Sequence, residues 1–304
     1  MKVAAIDCGT NTIKLLIVDL SDGTRFVLES RMVRLGQGVD ATGMLASEAL
    51  ARAFAAIDEY AALIQAHQVD RIRFCATSAT RDAANAEVFT QGVRDRLGVD
   101  PEVIAGEEEA RLSFDGAVRN LATTPSDPVL VVDIGGGSTE TILGADGQVV
   151  IGFSMDIGSV RLHERHVRHD PITAEEIAAV NADVDAALAA NPVDLSAART
   201  VIGVAGTVTT ITAGVLGLEF FDHTRIDQAR MAVGDVQAQI RRLVALSVEQ
   251  RRGLGYMHPG RADVIDAGAL IWSRILDRTR VETVIASRSD ILDGIAWSMD
   301  LHAG

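Results

Sequence analysis

The sequence predicts an α/β protein made of two copies of one βββαβαβα unit, with a cleft between the copies. Three observations carry that prediction. First, Pro128 to Gly144, PVLVVDIGGGSTETILG, reads as a strand, a glycine-rich turn and a second strand. Second, Val3 to Asp19, VAAIDCGTNTIKLLIVD, repeats that order, with Asp7 where the other copy has Asp133. Third, each copy continues through a further turn, Ser21-Asp22-Gly23 or Ala145-Asp146-Gly147, into a third extended segment. Helices then alternate with short apolar strands, the pattern of an α/β sheet.

The two hairpin tips carry the chemistry. Val129 to Val132 is a continuous, β-branched run, as expected of a strand buried on both faces. Gly135, Gly136 and Gly137 then turn the chain with no side chains in the way. Backbone N–H groups exposed by such a turn form a nest for an anion. An aspartate at the strand end can hold a hard cation beside that anion. A single glycine triplet is commonly no more than a tight turn. Its recurrence as Gly9-Thr10-Asn11-Thr12, matched by Gly135-Gly136-Gly137-Ser138, points instead to a phosphate chain gripped from two sides.

The elements follow in order. Extended segments are expected near Val3 to Ile6, Ile13 to Asp19 and Arg25 to Val33. A helix is expected from Ser47 to His67, with Leu50, Phe54, Ile57, Ala61 and Ile64 on one face and Ser47 as its N-cap. Arg71 to Ala76 is a short strand, and Thr77 to Asp82 is a small polar loop opening a helix toward Leu97. Glu102 to Ile104 is another strand, and a helix starts at Gly106 and runs to about Asn120. The segment 122–128, ATTPSDP, has the composition of a linker, which places the domains at 1–124 and 125–304. The last helix of the second could pack back on the first.

In the second copy, strands are expected at Val129 to Ile134, Glu140 to Leu143 and Gln148 to Met155. Thr173 with Glu176 three residues on is a capping box for a helix to Leu188. Val201 to Val204 is a buried strand leading into the small-residue turn GVAGTVTTITA at Gly203 to Ala213. Helices near Val236 to Leu246 and Arg261 to Leu276, a strand at Val281 to Ala286 and a helix at Asp290 to Met299 complete the copy.

Composition excludes several classes. The chain has 304 residues, 48% hydrophobic and 23% charged, which suits two ordinary globular domains. Its net charge of −14 argues against general affinity for nucleic acid or anionic membranes. No apolar run is long enough to span a bilayer, and Asp7 interrupts any leader-like core. Two cysteines, Cys8 and Cys75, have no metal spacing and fit a reduced, cytoplasmic protein. Only Lys2 and Lys14 among the 28 basic residues are lysines, and arginine binds phosphate oxygens in a bidentate fork. Apolar helix faces in the C-terminal half are compatible with a homodimer.

Several side chains could do chemistry. Glu107, Glu108 and Glu109 sit at a helix start, where the dipole alone favours acids by about 0.3–1 kcal/mol. The same placement suits a carboxylate that orients and deprotonates water. Arg81, at another loop–helix junction, is either a surface ion-pair partner or a stabiliser of a transferring phosphoryl group. Glu140 is either an exposed strand residue or a second metal carboxylate beside Asp133. The histidines of His163 to His169, HERHVRH, lack a fourth metal ligand and are expected on a solvated helix or loop.

With Asp7-Cys8-Gly9-Thr10-Asn11-Thr12, the run Ala105 to Arg111 and the run Asp133 to Glu140 in view, the chain resembles the exopolyphosphatase/guanosine pentaphosphate phosphatase family. That family belongs to the actin-like ATPase and sugar-kinase superfamily. The resemblance extends to the Thr80-Arg81 loop, Gly158 to Arg161, Gly203 to Thr207 and Ser287 to Gly294, and so covers the chain in a short, two-domain form. It implies two ribonuclease-H-like domains and Mg²⁺-dependent hydrolysis of a terminal phosphoanhydride.

Glu109 matches the family's proposed base, with Glu108 beside it. Gly9, Thr10, Asn11 and Thr12 match the first phosphate loop, and Gly135, Gly136, Gly137 and Ser138 the second. Asp133 and Glu140 match acidic positions tied to metal, with Asp7 in the corresponding place of the first tip. Arg81 matches a substrate-facing arginine. Thr10, Thr12 and Ala105 stand where serines are usual, and the last change puts one supporting hydrogen bond in doubt. The implied substrate is inorganic polyphosphate, with short chains favoured, or the alarmone guanosine pentaphosphate. A small-molecule kinase and a non-hydrolytic actin-like nucleotide-binding protein are the other readings of this fold.

Overall fold

The computed structural model describes residues 1–300; the end of the second predicted domain, 301–304, lies outside the described residues. Contacts divide the chain into two compact units, Met1–Gly116 joined by the segment from Ile291, and Ala117–Asp290.

The first unit opens with β1 (Lys2–Cys8), β2 (Thr12–Asp19) and β3 (Arg25–Met32). Next come α1 (Val39–Thr42), α2 (Ser47–Ala66), β4 (Arg71–Ala76), α3 (Ser78–Asp82), α4 (Ala86–Leu97), β5 (Glu102–Val103) and α5 (Gly106–Arg119). The sheet order is β3-β2-β1-β4-β5, with β1, β4 and β5 parallel and β2 antiparallel to β1. Alternate residues of β1 serve opposite faces, as the strand period of two requires. Ala4, Ile6 and Cys8 pack on Leu50, Ile57 and Tyr60 of α2. Val3 and Ala5 pack on Leu112 of α5 and on Ile291, Leu292 and Ile295.

The expected stripe on α2 holds at Leu50, Ile57 and Ile64, with Ala53 and Tyr60 taking the buried places expected of Phe54 and Ala61. Leu50, Ala53, Ile57, Tyr60 and Ile64 are buried. Tyr60 also anchors the face through its hydroxyl, which donates to the Ile13 carbonyl at 2.9 Å. Phe54 lies beside that stripe, stacked on Phe89 and covered by the Arg96 guanidinium. Ser47 is the first helical residue rather than the N-cap; Ala46 holds that position. Each fully buried Leu, Ile or Phe of this face contributes about 1.5–3 kcal/mol.

The second unit carries β6 (Val129–Ile134), β7 (Thr139–Ala145) and β8 (Gln148–Met155). It continues with α6 (Ser159–His166), α7 (Ala174–Ala190), β9 (Thr200–Val204), α8 (Ala205–Val215), α9 (His223–Ile226), β10 (Arg230–Ala232), α10 (Val233–Ala245), α11 (Val248–Arg252), α12 (Ile265–Leu276) and β11 (Thr283–Ala286). Its sheet order, β10-β11-β9-β6-β7-β8, repeats the first sheet and adds β10 as an antiparallel edge. Thr173 caps α7 with the reciprocal Glu176 contact that the sequence predicts. The final helix, α13 (Ile291–Ser298), belongs to the first unit, where Gly294 lies so close to Leu112 that a Cβ would collide with the Leu112 carbonyl.

Candidate active site

The two hairpin tips are the same turn built twice. Gly9 N–H donates to the Thr12 carbonyl at 2.9 Å, and Gly135 N–H donates to the Ser138 carbonyl at 3.0 Å. In both hairpins the residue seven after the aspartate is its direct cross-strand partner: Lys14 opposite Asp7, Glu140 opposite Asp133. Side chains directly opposite on antiparallel strands share a face of the sheet and interact.

A loop following the third strand secures each tip. In the first unit, Arg34 N–H donates to the Asn11 carbonyl and Gly36 N–H to the Thr10 carbonyl, both at 2.9 Å. In the second, Ser159 N–H donates to the Gly135 carbonyl at 3.0 Å and Val160 N–H to the Gly136 carbonyl at 2.9 Å. The Arg161 Nε donates to the Gly137 carbonyl at 2.7 Å. A side chain on Gly36 would strike Thr10, and one on Gly158 would strike the Gly136 backbone.

The first tip is polar and tightly held. Thr10 and Ser78 share a hydroxyl hydrogen bond of 2.8 Å. Lys14 Nζ lies 3.6 Å from Asp7 Oδ2. Two buried polar atoms, Asn11 Oδ1 and Thr80 Oγ1, have no hydrogen-bond partner. Leaving such an atom unsatisfied costs roughly 1–3 kcal/mol.

The start of α5 separates the two candidate glutamates. Glu109 is 7% exposed, and its Oε2 lies 3.1 Å from Arg81 Nη1. The same Arg81 nitrogen donates to the Ile104 carbonyl at 2.9 Å. Glu108 points elsewhere: its side chain is 37% exposed and its Oε1 accepts from Arg73 Nη2 at 2.6 Å. Glu108 N–H and Glu109 N–H both reach the Ala105 carbonyl, so the first turn closes through the backbone of the residue that replaces the usual serine.

In the second unit Asp133 is 7% exposed and Glu140 is 1% exposed, and Ser154 Oγ donates to Glu140 Oε1 at 2.7 Å. Two carboxylates opposite each other in a buried place repel unless positive charge or protons offset them. Among the described residues, no group of three or more His, Cys, Asp or Glu is arranged to hold a metal ion. Asp133 and Glu140 are two hard oxygen donors on facing strand positions, of the type Mg²⁺ prefers.

Sequence reasoning missed three groups. Lys14 was legible as the counterpart of Glu140 in the repeat. Arg73 was not, because a strand arginine carries no motif. The third, Arg261, packs its guanidinium over Gly206 in the turn that opens α8, with Nη1 donating to Thr210 Oγ1 at 3.0 Å. Burial brings its pKa down to about 10. Ala205 in that turn has a positive φ of 64°, a conformation that costs a residue with a Cβ about 1–2 kcal/mol.

The histidine run also takes a definite form. His163 Nδ1 lies 3.2 Å from Asp266, His166 Nε2 2.8 Å from Asp183 and His169 Nδ1 2.9 Å from Glu176. Each histidine therefore has its own carboxylate, on or just after a helix that caps the second tip.

Comparison with known proteins places the chain. The model of the Ppx/GppA phosphatase family matches residues 17–302. Exopolyphosphatase 2 of Mycobacterium tuberculosis is 44% identical, over 98% of this chain and 98% of its own. A guanosine-5'-triphosphate,3'-diphosphate pyrophosphatase of Photobacterium profundum is 30% identical, over 97% of this chain and 59% of its own. The crystal structure of an exopolyphosphatase-like protein superposes with a TM-score of 0.95 at 44% identity, over 98% of both chains.

Proposed function

Because the chain belongs to the Ppx/GppA phosphatase family, we propose that it is an exopolyphosphatase that hydrolyses the terminal phosphoanhydride of inorganic polyphosphate. The observation that carries this reading is Glu109, a buried carboxylate at a helix start oriented by Arg81.

The tips bind. N–H groups within Thr10 to Thr12 and Gly136 to Ser138, in turns closed by the Gly9 and Gly135 N–H groups, donate to phosphoryl oxygens together with the hydroxyls of Thr10, Thr12 and Ser138. The unpartnered Thr80 hydroxyl can donate to a phosphoryl oxygen, and the unpartnered Asn11 Oδ1, an acceptor, can take a hydrogen bond from water. Glu109 holds a water in line with the terminal phosphorus and takes its proton as the new P–O bond forms. The bond to the bridging oxygen breaks, and that oxygen leaves with the electron pair on a chain one unit shorter. Arg81 orients Glu109 and offers its remaining donors to the equatorial oxygens, where negative charge gathers. Glu108, ion-paired to Arg73, takes no proton in this scheme.

Asp133 and Glu140 would hold Mg²⁺, which when bound offsets phosphate charge. Asp7, paired with Lys14, keeps an ammonium at the first tip rather than ligating that metal. Two buried free thiols suit a cytoplasmic setting.

A second reading keeps the chemistry and exchanges the substrate for guanosine pentaphosphate; the Photobacterium relative favours it. Phosphate release from tripolyphosphate, long polyphosphate and guanosine pentaphosphate, with and without Mg²⁺, decides between them. Faster release from the polyphosphates, dependent on Mg²⁺, is expected. Preference for the alarmone would establish the second reading, and no release from any of the three would refute both.

A further inference from the structure

We propose that Arg73 is the positioning residue of the base-bearing helix: it ties Glu108 into a fork with Glu102 and Ser298, and so fixes the rotation of α5 that presents Glu109. The proposal rests on the reading of Glu109 as the base, and it assigns a purpose to an arginine outside every recognisable motif.

The fork is engaged at all three nitrogens. Arg73 projects from β4 with its side chain 13% exposed. Its Nε donates to both Glu102 oxygens at 3.1 Å, and Nη2 to Glu102 Oε2 at 2.7 Å. Nη2 also meets Glu108 Oε1 at 2.6 Å, and Nη1 donates to Ser298 Oγ at 2.7 Å. One guanidinium thus joins β4 to β5, to the first turn of α5 and to the last turn of α13.

Consecutive residues on an α-helix point about 100° apart. Fixing Glu108 on one bearing therefore fixes Glu109 on another, toward Arg81. Three adjacent carboxylates at one helix start repel, and the structure parts two of them by giving each its own arginine. The far side of α5 is held too, because Gly294 of α13 lies against the Leu112 backbone. Helix rotation is thereby limited from two directions. A lysine could not replace this arrangement, since an ammonium is a point charge without the planar fork.

The test uses R73M, R73K, E108Q and the double variant R73M/E108Q in the full chain. Folded fraction is read by near-ultraviolet circular dichroism, and kcat and KM are measured with polyphosphate. R73M is expected to stay folded and to lose about 10- to 100-fold in kcat, the cost of a small misplacement of a reacting group. Its KM should move less than about twofold, because substrate binding is left to the tips. R73K should recover part of the loss. E108Q alone should remain active, since its amide oxygen still accepts from Arg73. R73M/E108Q should lose no more than R73M alone, because the tie that E108Q would weaken is already cut and Arg111, 3.8 Å from Glu108 Oε1, does not replace it.

The proposal is overturned if R73M keeps parental kcat. It is equally overturned if its activity falls only in proportion to folded protein, or if the double variant regains activity, which would place the loss in the charge of Glu108 rather than in the lost tie. E109Q separates the two levels. An active E109Q refutes the base itself; an inactive E109Q beside a fully active R73M refutes only the positioning.

Discussion

Asp7 and Asp133 occupy the same place in the two hairpins, yet their cross-strand partners carry opposite charge. Asp7 meets Lys14; Asp133 meets Glu140. The first tip therefore pairs an ammonium with its carboxylate within the hairpin, and the second sets two carboxylates opposite each other. Asp133→Asn should raise the Mg²⁺ concentration for half-maximal activity by about 10- to 100-fold, the usual loss when a group around a metal is removed. An unchanged Mg²⁺ titration would refute that assignment. At this scale the sequence was partly legible. The aspartates, glycines and Glu109 stand in patterns with a chemical reason. Which arginine each of Glu108 and Glu109 meets was not visible, because Arg73 lies 35 residues upstream of Glu108 in a strand without a motif.

Hairpins and helices were more legible than single contacts. The strand at β1 and the capping box of α7 follow from local sequence, and both appear in the structure. The loops that brace the tips do not follow from local rules. Gly36 and Gly158 look like ordinary loop glycines, yet each is required by a close approach to a tip. Gly158→Ala forces a Cβ into the Gly136 carbonyl carbon and oxygen, so the second turn must shift. Overpacking of this kind destabilises by roughly 1–3 kcal/mol. We expect KM for polyphosphate to rise in that variant while α5 and its glutamates are undisturbed. A lowered Tm with unchanged KM would show that the second turn does not bind substrate.

For the molecule as a whole, duplication was the decisive signal in the sequence, and the two sheets repeat one strand order. The added strand β10 escaped notice because three residues, Arg230 to Ala232, carry too little periodicity to read. Acid stability is a property at this scale. Backbone N–H of Thr173, then His169 and the backbone of Arg168, hold Glu176 at a pKa of about 2. Hydrogen bonds from the Ser21 backbone and hydroxyl, then the N-terminal ammonium, hold Asp19 at about 2. Burial alone would raise Asp266, but His163 and Arg251 outweigh it and lower the carboxyl. Each folded-state pKa lies below its unfolded value. Their stabilisation is therefore complete above the ordinary carboxylate range and is lost as pH falls toward about 2. Thermal unfolding should show a flat Tm down to about pH 5 and a steady fall below it. A Tm that rises on acidification would contradict the sign.

Among all these expectations, phosphate release by Glu109→Gln bears most directly on the central claim that this side chain activates the attacking water. The amide keeps the size of the side chain and loses its basicity. The account predicts undiminished polyphosphate binding and a turnover lower by about 10²–10⁴-fold, the contribution of a positioned general base. Turnover within a few-fold of the parent, with binding intact, would contradict it.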